Sequence, residues 1–129
     1  MKFLDPRSHG YVDYLAVAAL ALAPSLFGFG GVAAGLCYAL AAVQLVMSLV
    51  TAYPLSIAKV LPFTIHGAAE LLTSVFLVAA PWIFGFADVD AAKNFFIASG
   101  VALLLVYVVT DYKAAERRGH MRERVATGA

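Results

Sequence analysis

His9 to Phe29 reads HGYVDYLAVAALALAPSLFGF, and His66 to Phe86 reads HGAAELLTSVFLVAAPWIFGF. At a constant offset of 57, His9 falls on His66, Gly10 on Gly67 and Asp13 on Glu70. Pro24 falls on Pro81, and Phe27-Gly28-Phe29 on Phe84-Gly85-Phe86. Two unrelated apolar segments would share a composition. They would not share a histidine, an acid, a proline and a terminal Phe-Gly-Phe in register. The stretch is read as an internal duplication.

Working outward, each copy is about twenty apolar residues long and lacks period-two alternation, so each is predicted helical rather than stranded. About twenty residues at about 1.5 Å each cross a hydrocarbon core of about 30 Å. The whole chain agrees. Its 129 residues are 63% hydrophobic and 13% charged, with a mean hydropathy of +0.87. A soluble domain is about half apolar and about a quarter charged. No charge lies between Asp13 and Lys59, between Glu70 and Asp88, or between Lys93 and Asp111. The Ala21-Leu22-Ala23 triplet after a charged lead imitates a secretory signal. The second, internal copy argues for a mature membrane helix instead.

The predicted fold is all-α, an integral membrane four-helix bundle of two tandem transmembrane hairpins arranged as parallel repeats. It forms a single transmembrane domain. Residues 1–8 are a polar lead, 9–53 the first repeat, 54–65 a connector, 66–112 the second repeat and 113–129 a basic tail. Helices are expected from about His9 to Phe29, Val32 to Tyr53, Thr64 to Phe86 and Lys93 to Tyr112. Val50-Thr51-Ala52-Tyr53 and Val109-Thr110-Asp111-Tyr112 end the second and fourth alike. Pro24 and Pro81 should kink their helices at matching depth, because each removes a backbone donor. Lys2, Arg7, Lys59, Lys113, Arg117, Arg118, Arg122 and Arg124 fall on one side of this arrangement and only Lys93 on the other. By the positive-inside rule both termini are cytoplasmic, in the inner membrane.

The pattern of a histidine, an acid one turn on, then Ala80-Pro81-Trp82 and Phe84-Gly85-Phe86 resembles the SPW-repeat family of small bacterial membrane proteins. Ala23-Pro24-Ser25 of the first copy lacks the tryptophan. The resemblance covers both hairpins and implies the four-helix, two-repeat fold. It implies no activity.

The residues with chemistry to offer are the repeated pairs His9–Asp13 and His66–Glu70. Four residues apart, each pair shares one helix face. The plain reading is capping, an acid in the first turn meeting the positive helix end. The sharper reading is convergence of the pairs across a pseudo-twofold axis into a proton or ion site. Such a site could carry a proton or bind a metal through nitrogen and oxygen. Two facing carboxylates cannot both ionise cheaply, so the sharper reading carries pH sensitivity.

Gln44, in mid-membrane, is expected to hydrogen-bond between helices. Gly31, Gly35 and Ala39 offer a small-residue packing face, and Cys37 packs. Phe27, Phe29, Trp82, Phe84 and Phe86 read as one aromatic belt. Tyr11, Tyr14, Tyr53, Phe63 and Tyr112 read as the other.

There is no glycine-rich phosphate loop, nucleophile elbow or metal signature of established spacing, so no catalytic residue, cofactor or metal is assigned. The expected partners are the lipid bilayer, anionic headgroups at the tail, and a homo-oligomer or larger membrane complex, with no nucleic acid. The functional expectation is a non-enzymatic accessory or scaffold subunit acting through helix–helix contacts. The alternative is an oligomeric small-solute or proton-coupled transporter using the His-acid pairs.

Overall fold

The computed structural model describes residues 4–112, 124–126 and 128. Four long helices follow in order: α1 Pro6–Phe27, α2 Gly31–Val50, α3 Phe63–Ile83 and α4 Asp90–Val109. Each is long and apolar enough to cross a membrane. At 20 to 22 residues they span about 30 Å. The chain is an all-helical bundle of two hairpins, α1 on α2 and α3 on α4, with far fewer contacts between α1 and α4.

The helices start earlier than predicted. Asp5 caps α1 by accepting from the Ser8 N–H at 2.8 Å, and Pro6 takes the first helical position, where a missing N–H costs nothing. Pro24 and Pro81 lie in the final turns of α1 and α3. The N–H groups of Phe29 and Phe86, five residues beyond them, donate to their carbonyls at 3.1 and 2.8 Å. Closing each helix this way needs a residue with left-handed backbone, which Gly28 (φ 70°) and Gly85 (φ 76°) supply.

α2 and α4 are each 20 residues long, and their starts, Gly31 and Asp90, stand 59 apart rather than 57. The two additional residues sit in the loop before α4. At the other end, both helices stop before a threonine that turns extended: Thr51 at ψ 144° and Thr110 at ψ 134°. Each threonine pairs with an incoming chain, Thr51 with Leu61 and Thr110 with Leu4. Leu61 N–H donates to Val50 at 2.7 Å, and Leu4 N–H to Val109 at 2.9 Å. These short pairings draw the ends of α2 and α4 against the starts of α3 and α1. The predicted helical ends at Tyr53 and Tyr112 are therefore corrected: both tyrosines lie beyond their helices.

The apolar core fills the opposite half, with Phe96, Cys37, Ala33, Ala80 and Ala92 closely packed. Phe29 and Phe86 belong to it, not to an aromatic belt; Phe27, Trp82 and Phe84 are exposed as a belt requires. Gly100 lets α4 approach α3, since a Cβ there would stand 2.7 Å from the Ser74 carbonyl oxygen.

The stripe of Gly31, Gly35 and Ala39 faces outward. The buried small residues of α2 are instead Ala33, Ala34, Cys37 and Ala41, and the first three join the core shared with Leu77, Ala80 and Phe96. Of the basic residues, Arg7 and Lys59 lie at the threonine end and Lys93 at the loop end, 3.6 Å from Asp90. Lys2, Lys113, Arg117, Arg118 and Arg122 fall outside the described residues.

Candidate functional site: a buried cluster of two histidines and two acids

Asp13 is the eighth residue of α1, and Glu70 the eighth of α3. Neither helix has an acid in its first turn, so the capping reading fails. Two turns in, both acids point to the seam between the hairpins, where His9 and His66 also arrive. His9, Asp13, His66 and Glu70 are 0%, 1%, 0% and 1% exposed.

His9 Nε2 lies 3.1 Å from Asp13 Oδ1 and 3.0 Å from Glu70 Oε2. His66 Nε2 lies 3.1 Å from Asp13 Oδ2 and 3.1 Å from Glu70 Oε1. Each imidazole thus meets the acid of its own helix and the acid of the other hairpin. The four form a closed ring around the seam.

The outer atoms are held as well. His9 Nδ1 is 2.8 Å from Thr110 Oγ1, and His66 Nδ1 is 2.6 Å from Thr51 Oγ1. Each threonine hydroxyl spends its own proton on the carbonyl four residues back, Thr110 on Val106 and Thr51 on Met47. A hydroxyl has one proton to give. Its oxygen therefore accepts from the imidazole, and Nδ1 carries hydrogen in both histidines. That turns both Nε2 atoms inward, toward the carboxylates, where each shares a second proton with them at 3.0–3.1 Å.

Tyr53 donates to Asp13 Oδ2 at 3.1 Å, and Tyr112 to Glu70 Oε2 at 2.8 Å. Burial raises both phenols above their ordinary range, and the carboxylate beside each raises them further, so both remain proton donors. With Phe63, the two tyrosines form a small buried aromatic group, and the Phe63 ring stands edge-on 5.0 Å from His9. This aromatic group closes over the ring. The glycine after each histidine makes room: a Cβ on Gly67 would stand 2.7 Å from the Tyr112 ring, and one on Gly10 2.9 Å from Leu55.

The structure therefore brings together all four residues of the predicted proton or ion site. It adds Thr51, Thr110, Tyr53 and Tyr112, which sequence reasoning placed in a helix-end echo and an aromatic belt. The signal was present in that echo: a threonine and a tyrosine two apart, at both helix ends. Gln44 departs from expectation. Its Nε2 is buried with no hydrogen-bond partner among the described residues. It lines a cavity of about 250 Å³ between the hairpins, together with Val12, Leu20, Thr73, Leu77 and Ser99. None of the four cluster residues lines that cavity.

No family model, curated protein or solved structure matches this chain.

Proposed function

We propose that the chain is a non-enzymatic integral membrane protein, an accessory or scaffold subunit that works through helix–helix contacts. In this reading it is an internally duplicated protein of the SPW-repeat kind, with two parallel repeats. It lies in the bacterial inner membrane with both termini and the His-acid cluster on the cytoplasmic side. The observation that carries the reading is the closure of the cluster. Its polar atoms are spent on one another and on Thr51, Thr110, Tyr53 and Tyr112, behind an aromatic cover. Such a cluster holds two hairpins in one relative position, as a scaffold requires.

The outward stripe of Gly31, Gly35 and Ala39 supplies the contact surface. A Cβ on Gly31 or Gly35 would meet nothing within 4 Å, so another helix can lie close there. The buried amide of Gln44 offers a donor in the seam between the hairpins.

Convergence of four titratable groups favours a second reading, an oligomeric proton-coupled or small-solute carrier. The closure of the ring, and a seam cavity that the ring does not line, weigh against it.

Cross-linking in native membranes tests the proposal. Gly35→Cys, in a Cys37→Ala background, should cross-link to a second copy or another membrane polypeptide. A cysteine at exposed Leu105 on α4 should not. No adduct at position 35, together with proton or solute flux in proteoliposomes, would replace the scaffold with the carrier.

A further inference from the structure

We propose that His9, Asp13, His66 and Glu70 form a binding site for one divalent transition-metal ion of the zinc class, and that the ion bridges the two hairpins. The inference goes beyond the scaffold reading and does not depend on the chain having a partner.

Three observations carry it. The first is convergence. Each residue offers one donor atom, two imidazole Nε2 and two carboxylate oxygens, and all four lie within 4.8 Å of one another. Zinc–nitrogen and zinc–oxygen bonds run about 2.0–2.2 Å, so two donors on one tetrahedral ion stand about 3.3–3.6 Å apart. A pair at the 4.8 Å limit has to draw in by roughly an ångström as the ion binds. The neighbouring nitrogen–oxygen separations of 3.0–3.1 Å already approach the edge of such a polyhedron.

The second is the tautomer. A metal-binding imidazole presents a lone pair on one nitrogen and donates from the other to a fixed acceptor. The threonine bonds supply the fixed outer acceptor for both histidines and hold Nε2 inward, where its shared proton can be exchanged for a metal ion. Two imidazoles among four ligands select a transition ion over magnesium or calcium, which take oxygen.

The third is the outer support of the acids. Tyr53 and Tyr112 donate to Asp13 and Glu70 at 3.1 and 2.8 Å. Each carboxylate is thereby oriented as a ligand by a group that does not itself bind. Every inner ligand has one such outer partner.

Charge balance agrees. Two carboxylates and two neutral imidazoles carry two negative charges in a site closed to water. Neutrality requires either two shared protons or one dication, since an uncompensated buried charge is strongly unfavourable. Zinc entering the site displaces about two protons.

The test uses the full chain purified without a histidine tag, extracted in mild detergent, with zinc as the probe. Metal analysis after exposure to zinc and removal of excess should give about one ion per chain. X-ray absorption should show nitrogen and oxygen neighbours at about 2.0–2.2 Å and no sulfur. His66→Gln should abolish retention. Thr51→Val and Tyr53→Phe are measured beside it, so that a folding defect in His66→Gln leaves the proposal testable. Each leaves all four ligands and should weaken zinc affinity about 10- to 100-fold in a chelator competition, through loss of an outer partner. Zinc retained equally by His66→Gln, no retention by the folded wild-type chain, or unchanged affinity in both outer variants would overturn the proposal.

Discussion

Replacing Glu70 with leucine should destabilise the bundle by about 3–5 kcal/mol, the cost of breaking a buried ion pair by removing one side. Leucine nearly matches glutamate in volume, so little of the loss comes from packing. Three donors lose their acceptor: Tyr112 at 2.8 Å, His9 Nε2 at 3.0 Å and His66 Nε2 at 3.1 Å. Asp13 still faces both imidazoles, so the ring is opened, not emptied. A loss of about 4 kcal/mol lowers the folding equilibrium constant roughly a thousandfold. The assay is reversible unfolding in mixed micelles, followed by the fluorescence of Trp82, the chain's single tryptophan. Leu72→Ala on the exposed face of the same helix is the control and should cost below about 1 kcal/mol. A Glu70→Leu loss no larger than the control's would refute the reasoning, because a buried acid with three partners cannot be removed so cheaply.

Thr51→Val and Thr110→Val should each cost about 1–3 kcal/mol by stranding a buried imidazole N–H, and unequal losses in the same assay would show that the two threonines are not equivalent. Gly67→Ala should lower stability even though alanine is the better helix former, because its Cβ would stand 2.7 Å from the Tyr112 ring; Gly67→Ala paired with Tyr112→Ala should recover part of that loss. Gly100→Ala should cost more than Gly67→Ala, since its Cβ meets the Ser74 backbone oxygen at 2.7 Å, and no side-chain change relieves a clash with backbone. Reporter fusions at Ala129 and in the Asp88–Asp90 loop should label opposite faces of the membrane.

The four helices were legible because long charge-free apolar runs have few other solutions, and the pairing into hairpins followed from the short turn around Gly28–Gly30. Helix ends were less legible. Thr51 and Thr110 leave their helices to pair with Leu61, across the connector, and with Leu4, at the other end of the described bundle, contacts that no local pattern announces. The cluster was half legible. A histidine and an acid four apart, occurring twice, marked the right residues, but helical periodicity says which residues share a face and not what that face meets. Only the packing of hairpin on hairpin distinguishes a first-turn charge from a buried ring. Phe29 and Phe86 show the same limit: they occupy belt positions in sequence, and the Gly28 and Gly85 turns fold them back onto Phe96 and its neighbours.

The contacts between the hairpins at the ring are tested most directly by nitrogen–carbon distance measurement by solid-state NMR in lipid bilayers. With labelled histidine nitrogen and labelled aspartate and glutamate carboxyl carbon, four correlations are expected. Two are within one helix, His9 with Asp13 and His66 with Glu70. Two cross the seam, His9 with Glu70 and His66 with Asp13, at nitrogen–oxygen separations of 3.0 and 3.1 Å. All four present at comparable strength is the predicted result; the two helical pairs alone, with both crossing correlations missing, would contradict the shared site.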